Sequence, residues 1–349
     1  MTPASERAII WTGTYTPDGG GRAEGIGALA AHSDGTLEWL GTAVAADSPS
    51  FLAVHPTLPV VYAVAEQRRK VRAYRRVGDF GLEAFGEAQP AGEASCHVAV
   101  DPQGRFAVAC CWGDGQVLLY ELDNDGGLAG RFPAAPSADP HPGASAEGHR
   151  QSRAHASLML ADGRVMTTDL GHDKLRVWNY VPGQGLVADH EVILPAGSGP
   201  RHMVQHPTGS VLVVTEYSLE VLVVAADDGG TFSLVSQEPA TSGGTLPGDS
   251  GAEICLGSGG NYAYVGIRGS NIIGVLDVSP DGSRATPKRH YASGGDWPRH
   301  HLVRGDWLYV AHERSDEIAT FRLDPATGLP GPRVQLLAVA SPVALIPAE

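Results

Sequence analysis

The amino-acid sequence predicts an all-β fold: a seven-bladed β-propeller, one domain over residues 1–349, its ring closed by pairing of N- and C-terminal strands. Three observations carry this expectation. A unit of short strand, turn, Val- and Tyr-rich strand, polar turn and further apolar strand recurs along the chain. The apolar runs between turns, such as "VLVVTE" (211–216) and "LYVAHE" (308–313), are too short and too β-branched for helices. The two chain ends supply complementary fractions of one more unit.

In order, "RAIIWTGTY" (7–15), "GIGALAAH" (25–32) and "TLEWLGTA" (36–43) read as the later three strands of a blade that lacks its opening strand. Six full copies follow. They open with "PSFLAV" (49–54), "CHVAVD" (96–101), "AHASLM" (154–159), "RHMVQH" (201–206), "AEICLG" (252–257) and "RHHLVR" (299–304). The glycine ending the first turn falls at Gly104, Gly163, Gly209, Gly260 and Gly305, with spacings of 59, 46, 51 and 45 residues. A period of about 45 residues with about four strands is the signature of a propeller blade. Parallel βαβ units would need amphipathic helices between the strands, and none is visible. "SPVALIPA" (341–348) has the opening-strand pattern with nothing after it, so it completes the N-terminal blade and removes exposed sheet edges. The Pro-Arg-His triplets at 200–202 and 298–300 thereby fall at equivalent positions two blades apart.

Composition agrees. Apolar residues make up 42%, ample for a core, while 45 Gly and 25 Pro favour many turns over long helices. A formal net charge of −14 argues against a nucleic-acid or anionic-membrane partner. An anionic ligand would therefore need a local arginine cluster. Cys96, Cys110, Cys111 and Cys255 form neither a disulfide framework nor a metal-type spacing. No secretory signal is apparent, and no apolar stretch approaches the length of a membrane span. The expected location is the cytoplasm.

The first, longer spacing places extra residues in 123–155, a Gly-, Pro-, Ala- and Ser-rich stretch read as a loop. It leads into "RQSRAH" (150–155), where Arg150 and Arg153 precede His155, so a lid over the channel mouth is expected rather than a plain surface insertion. "GSGG" (257–260) and "GDGQ" (113–116) lack the helix that a phosphate loop requires.

A propeller brings equivalent positions of all blades around one axis. Two registers of polar residues run across the copies. The second strands end at Glu66, Trp112, Leu170, Glu216, Arg268 and Glu313, and the opening strands begin with His97, His155, Arg201–His202, Glu253 and Arg299–His300. A strand start has no need of such polar residues, and their burial costs desolvation unless they line a wet cavity. A structural ion pair between Glu216 and Arg268 is the bland alternative. Several ionisable groups at one ring position point instead to a convergent polar pocket. Zinc is disfavoured, because paired-His spacing is absent and Arg201 and Arg268 would repel a cation. Neither metal nor cofactor is expected.

In this order and spacing, "GTYT" (13–16), "PSFLAVHP" (49–56), "CHVAVDPQGRF" (96–106), "GPRHMVQHP" (199–207), "TEYS" (215–218), "AEI" (252–254), "IRGS" (267–270), "WPRH" (297–300) and "SPV" (341–343) resemble the seven-bladed lactonase propellers. That family comprises bacterial 6-phosphogluconolactonases and fungal carboxymuconate cyclase. The resemblance covers essentially the whole chain and implies a cofactor-free carboxylic-ester hydrolase of carbohydrate metabolism, in the pentose phosphate pathway. It places catalytic groups on His155, Arg201, Glu216 and Arg268; the blade registers add His202, Glu253, Arg299 and His300, and the loop adds Arg153, as contacts to an anionic lactone. Two departures stand out. Where such proteins often read Pro-His-x-His, this chain has "SRAHAS" (152–157), with Arg153 at the first His position; the turn "NYG" reads "CWG" (111–113).

Two function classes follow. The first is a sugar-lactone hydrolase, 6-phosphogluconolactonase-like, in which His155 or Glu216 moves protons and the arginines stabilise the oxyanion; a lactonising cyclase is its nearest variant. The second is a non-catalytic propeller that binds a ligand or protein on the same face. The arginine–histidine–glutamate grouping favours the enzyme.

Overall fold

The computed structural model describes residues 7–141, 143 and 150–348. These residues form seven four-stranded antiparallel sheets, and two 3₁₀ turns, Pro17–Gly19 and Glu66–Arg68, are the helical segments among them. Blade 1 holds Leu52–Val54, Val60–Ala65, Lys70–Val77 and Gly81–Pro90. Blade 2 holds Ser95–Val100, Phe106–Cys111, Val117–Leu122 and Leu128–Pro133. Blade 3 holds Ala154–Met159, Val165–Asp169, Lys174–Val181 and Gly185–Ile193. Blade 4 holds Pro200–Gln205, Val211–Thr215, Glu220–Ala226 and Phe232–Pro239. Blade 5 holds Ser250–Leu256, Tyr262–Arg268, Ile272–Val278 and Ala285–Ala292. Blade 6 holds Pro298–Arg304, Trp307–His312, Glu317–Leu323 and Pro330–Ala338.

Blade 7 joins the chain ends. Its innermost strand Pro342–Pro347 pairs antiparallel with Ala8–Thr14, setting Trp11 opposite Ile346 and Thr12 opposite Leu345; Gly25–Ala31 and Leu37–Ala45 lie outside. The innermost strands touch one another in cyclic order, that of blade 7 meeting that of blade 1, so the ring is closed.

Middle strands such as Phe106–Cys111 and Val211–Thr215 are buried along their whole length, which is why they read as continuous apolar runs. Outer strands alternate, as in Phe232–Pro239, because one face meets solvent. The core is divided into seven clusters, each between two adjacent blades. Leu212, Val214 and Val223 of blade 4 pack on Ile254, Val265 and Ile267 of blade 5. Leu345 joins Ile10 and Leu29 against Tyr309 and Ile318 of blade 6, so the terminal strand contributes to the core as well as to the ladder.

The structure corrects one element. Residues 128–133, read as loop, form the outer strand of blade 2, with alternating burial. Gly130 and the terminal Pro133 disguise it, and an outermost strand tolerates both because one of its edges needs no partner. Residues 134–141 and 150–153 then cross the top of blade 3: Ser137 Oγ lies 2.9 Å from His172 Nδ1, and Lys174 Nζ donates to the Ala138 carbonyl at 2.7 Å. Arg150 is paired with Asp139 and Asp173. The remainder of the expected lid, residues 142 and 144–149, lies outside the described residues.

Candidate active site

The innermost strands of blades 2 to 6 each carry a register shift near their start, and that bulge builds the mouth. Pro200 pairs with Thr215 but His202 pairs with Val214, leaving Arg201 as the extra residue; Cys96 and Arg299 are the extra residues of blades 2 and 6. Bulges re-aim side chains, so consecutive residues such as Arg201 and His202 serve one site instead of opposite faces. Glycine permits the close approach of blades 4 and 5: a Cβ on Gly251 would lie 2.2 Å from the Thr215 carbonyl oxygen.

One residue beyond the bulge, Phe51, His97, His155, His202, Glu253, His300 and Val343 occupy equivalent positions on the seven blades. The Phe51 ring lies 4.2 Å from that of His97 and 5.7 Å from those of His202 and His300, thus touching blades 2, 4 and 6 at once. It therefore sits close to the axis of the ring. The rings of His155 and His202 are 5.1 Å apart. Glu253 Oε2 lies 2.7 Å from His202 Nδ1 and 3.3 Å from His300 Nε2. The backbone N–H of Leu345 donates to His300 Nδ1, which leaves Nε2 as the proton-bearing nitrogen that faces Glu253. These groups are buried: His155 is 5% exposed and Glu253 7%. These groups pack against one another as a polar floor to the mouth.

Above the floor two charge networks form. In the first, Arg201 Nε and Arg268 Nη2 both reach Glu216 Oε2 at 3.0 Å. Arg201 Nη1 donates to the Ala252 carbonyl at 2.7 Å and Arg268 Nη2 to that of Gly251 at 2.8 Å. The bland ion-pair alternative is thus present, but shared by a second arginine. In the other, Arg299 donates to Tyr15 Oη at 2.7 Å and to Glu313 at 3.3 Å, and Tyr15 donates to Glu66 at 3.1 Å. Tyr15 is the seventh member of the second-strand register. The sequence reading left it out because its blade is split between the chain ends; its place in "GTYT", aligned with "VTEYS" (214–218), was the available signal.

Burial sets the protonation states. Burial, reinforced by Arg201 and His202, holds the His155 imidazolium pKa well below its ordinary value. Burial does the same to His97 and His202, and lowers His300 to about 4. These imidazoles are neutral at pH 7. Burial pushes the Glu216 carboxyl up, but Arg268 and Arg201 outweigh it and the net shift is downward. Burial and Arg201 bring Arg268 down to about 10, still protonated at neutral pH. Burial raises the Tyr15 phenol, which stays protonated.

The structure thus brings His155, Arg201, His202, Glu216, Glu253, Arg268, Arg299 and His300 to one end of the channel. Arg153 stands at its rim, its guanidinium carbon 3.8 Å from the Trp112 ring centroid. Among the described residues no group of three or more His, Cys, Asp or Glu side chains has metal-holding geometry. No helix there is long and apolar enough to cross a membrane.

Fold and site together define a seven-bladed propeller with a buried arginine–glutamate–histidine mouth. The chain belongs to the family described as "Lactonase, 7-bladed beta-propeller", whose model matches residues 9–347. Among its relatives is the 6-phosphogluconolactonase of Bacillus subtilis (strain 168), 25% identical over 328 residues and covering 92% of each chain. A putative 6-phosphogluconolactonase from Bacteroides fragilis superposes with a TM-score of 0.88 at 21% identity, covering 100% of this chain and 99% of that one. The periplasmic gluconolactonase PpgL of Pseudomonas aeruginosa gives 0.87 at 24% identity, covering 99% of each.

Proposed function

We propose that this protein hydrolyses the ring ester of a sugar lactone, 6-phosphogluconolactone being the first substrate to try. The observation that carries the reading is the set of donors around Glu216. Arg201 has Nε and Nη1 engaged and Arg268 has Nη2 engaged, so Arg201 Nη2 and Arg268 Nη1 remain for a ligand. Glu216 fixes both guanidiniums before substrate arrives, the preorganisation that oxyanion stabilisation requires.

His155 is the proton carrier in this scheme. Its Nδ1 is buried without a hydrogen-bond partner among the described residues, and its imidazole is neutral. Glu216 is instead engaged by two arginines, which hold its carboxyl ionised and make it the group that positions their guanidiniums. Water attacks the ester carbonyl carbon and its proton passes to His155. Negative charge gathers on the carbonyl oxygen beside Arg201 and Arg268. The carbon to ring-oxygen bond then breaks, and the leaving alkoxide takes the proton from imidazolium, giving the open hydroxy acid. An anionic substrate next to His155 offsets the arginine field and raises its basicity in the complex.

In this reading His202, Glu253 and His300 form the floor that holds the machinery, Arg299 contacts the sugar, and the cytoplasm is the compartment. The four thiols, all free, agree with a reducing environment. The test is a hydrolysis assay over 6-phosphogluconolactone, gluconolactone and muconolactones, read against the spontaneous rate. Acceleration of a sugar lactone is expected, and no acceleration of any would leave the ligand-binding propeller in its place.

A further inference from the structure

We propose that Arg153, stacked on Trp112, selects for an anionic substituent on the sugar remote from the reacting ester, and that the two side chains act as one unit. This rests on the lactonase reading and names the substrate class of that same site.

Arg153 differs from the other arginines of the mouth. Arg201 and Arg268 share Glu216, Arg299 has Glu313, and Arg150 has Asp139 and Asp173. Among the described residues Arg153 has no carboxylate within salt-bridge distance; its guanidinium lies on the face of Trp112. Stacking engages the guanidinium face and leaves the N–H donors on its edge free, the geometry that binds phosphate or carboxylate in bidentate fashion. A molecule of net charge −14 repels an anion at long range, so capture of one needs a local cation that its own carboxylates have not neutralised.

The pair is held from both sides. Arg153 N–H donates to Asp169 Oδ1 at 2.9 Å, and its carbonyl accepts from Leu170 N–H at 2.9 Å. Trp112 N–H donates to the Ala94 carbonyl at 3.0 Å. The turn after Trp112 packs on the segment before Arg153 so closely that a Cβ on Gly115 would lie 2.3 Å from Ser152 Oγ; from the other side, a Cβ on Gly171 of blade 3 would lie 1.9 Å from the Gln151 carbonyl oxygen. Arg153 is two residues from His155, and Trp112 belongs to the same register as Glu216. These two residues are also the positions where the sequence departs from the lactonase pattern. Their contact makes the departures one change.

The comparison residue is Arg314, which stacks 3.4 Å from the Trp297 centroid and has no carboxylate partner among the described residues. The experiment titrates 6-phosphogluconate and gluconate into wild type, Arg153→Gln, Trp112→Leu, the double variant and Arg314→Gln. It also compares kcat/KM on the phosphorylated and unphosphorylated lactones. Wild type should prefer the phosphorylated ligand. Arg153→Gln should lose about 10- to 100-fold of that preference. Trp112→Leu should lose part of it, the double variant no more than Arg153→Gln alone, and Arg314→Gln none. Preference retained in Arg153→Gln, preference that follows Arg314 instead, or additive single losses would overturn the proposal. If wild type hydrolyses no lactone, the reaction is wrong and the titration still decides the role of Arg153; wild type that binds no 6-phosphogluconate refutes it.

Discussion

His97 and His155 occupy the same position on neighbouring blades, yet His97 Nδ1 accepts the N–H of Ser157 at 3.3 Å while His155 Nδ1 is buried without a partner among the described residues. A neutral imidazole whose basic nitrogen is occupied cannot also take a proton from water. His155→Gln should therefore lower kcat by about two to four orders of magnitude. His97→Gln should keep most of the turnover. Equal losses in the two variants would remove His155 from the proton-carrying role.

Glu216 separates two buried guanidiniums, so its loss acts on stability as well as on rate. In Glu216→Gln, Arg201 and Arg268 face each other with no carboxylate between them. Breaking a buried pair in this way costs about 3–5 kcal/mol. The expected result is a clear drop in the urea midpoint together with a fall in kcat/KM. Arg268→Ala should lower kcat/KM by about 10²- to 10⁴-fold and raise KM, since it removes a charge-assisted donor. A Glu216→Gln protein of unchanged midpoint would mean that solvent already screens the arginines.

Ring closure gives a prediction on stability alone. Leu345 is 1% exposed between blades 6 and 7, and its backbone N–H reaches His300 on the channel floor. Leu345→Ala should cost about 2–5 kcal/mol. Deletion of 340–349 should cost more, since it opens the edge of Ala8–Thr14 as well as the core. Thermal melts of the three proteins give the order directly, and a truncated chain melting like full length would contradict closure.

Stability should fall in mild acid. Burial lowers the imidazolium pKa of His55, His97, His155, His202, His300, His301 and His312, the values for His300 and His312 reaching about 4. Unfolded histidines take up protons near pH 6.5, so below that pH the unfolded chain gains protons that the folded one refuses. The stabilisation is complete above about pH 7 and is lost as pH falls from 6.5 towards 4. His172 runs the opposite way, because its hydrogen bond to Asp169 raises its pKa. Among the described residues seven histidines are lowered against one raised, which sets the net sign. Urea midpoints at pH 7.5 and pH 5.0 should differ in favour of the higher pH, by about 1.4 kcal/mol per pH unit for each proton taken up. An equal or higher midpoint at pH 5.0 would contradict the buried neutral histidines.

The chain's own repeat was enough to give seven blades, their order and the closure by Pro342–Pro347, because strand–turn–strand units are local and a blade's apolar strands must meet those of the next. The two registers of the repeat listed Arg201, Glu216 and Arg268 as neighbours around the ring. They were silent on three things that depend on where backbones finally sit. Phe51 looks like any strand aromatic until the ring closes and sets it close to the axis against histidines from blades 2, 4 and 6. Tyr15 joins the mouth because the ends of the chain share a blade. The difference between His97 and His155 comes from one N–H, that of Ser157, whose reach is set by a bulge in blade 3. Periodicity is a property of neighbours along the chain, whereas which lone pair stays empty is settled only by packing across blades.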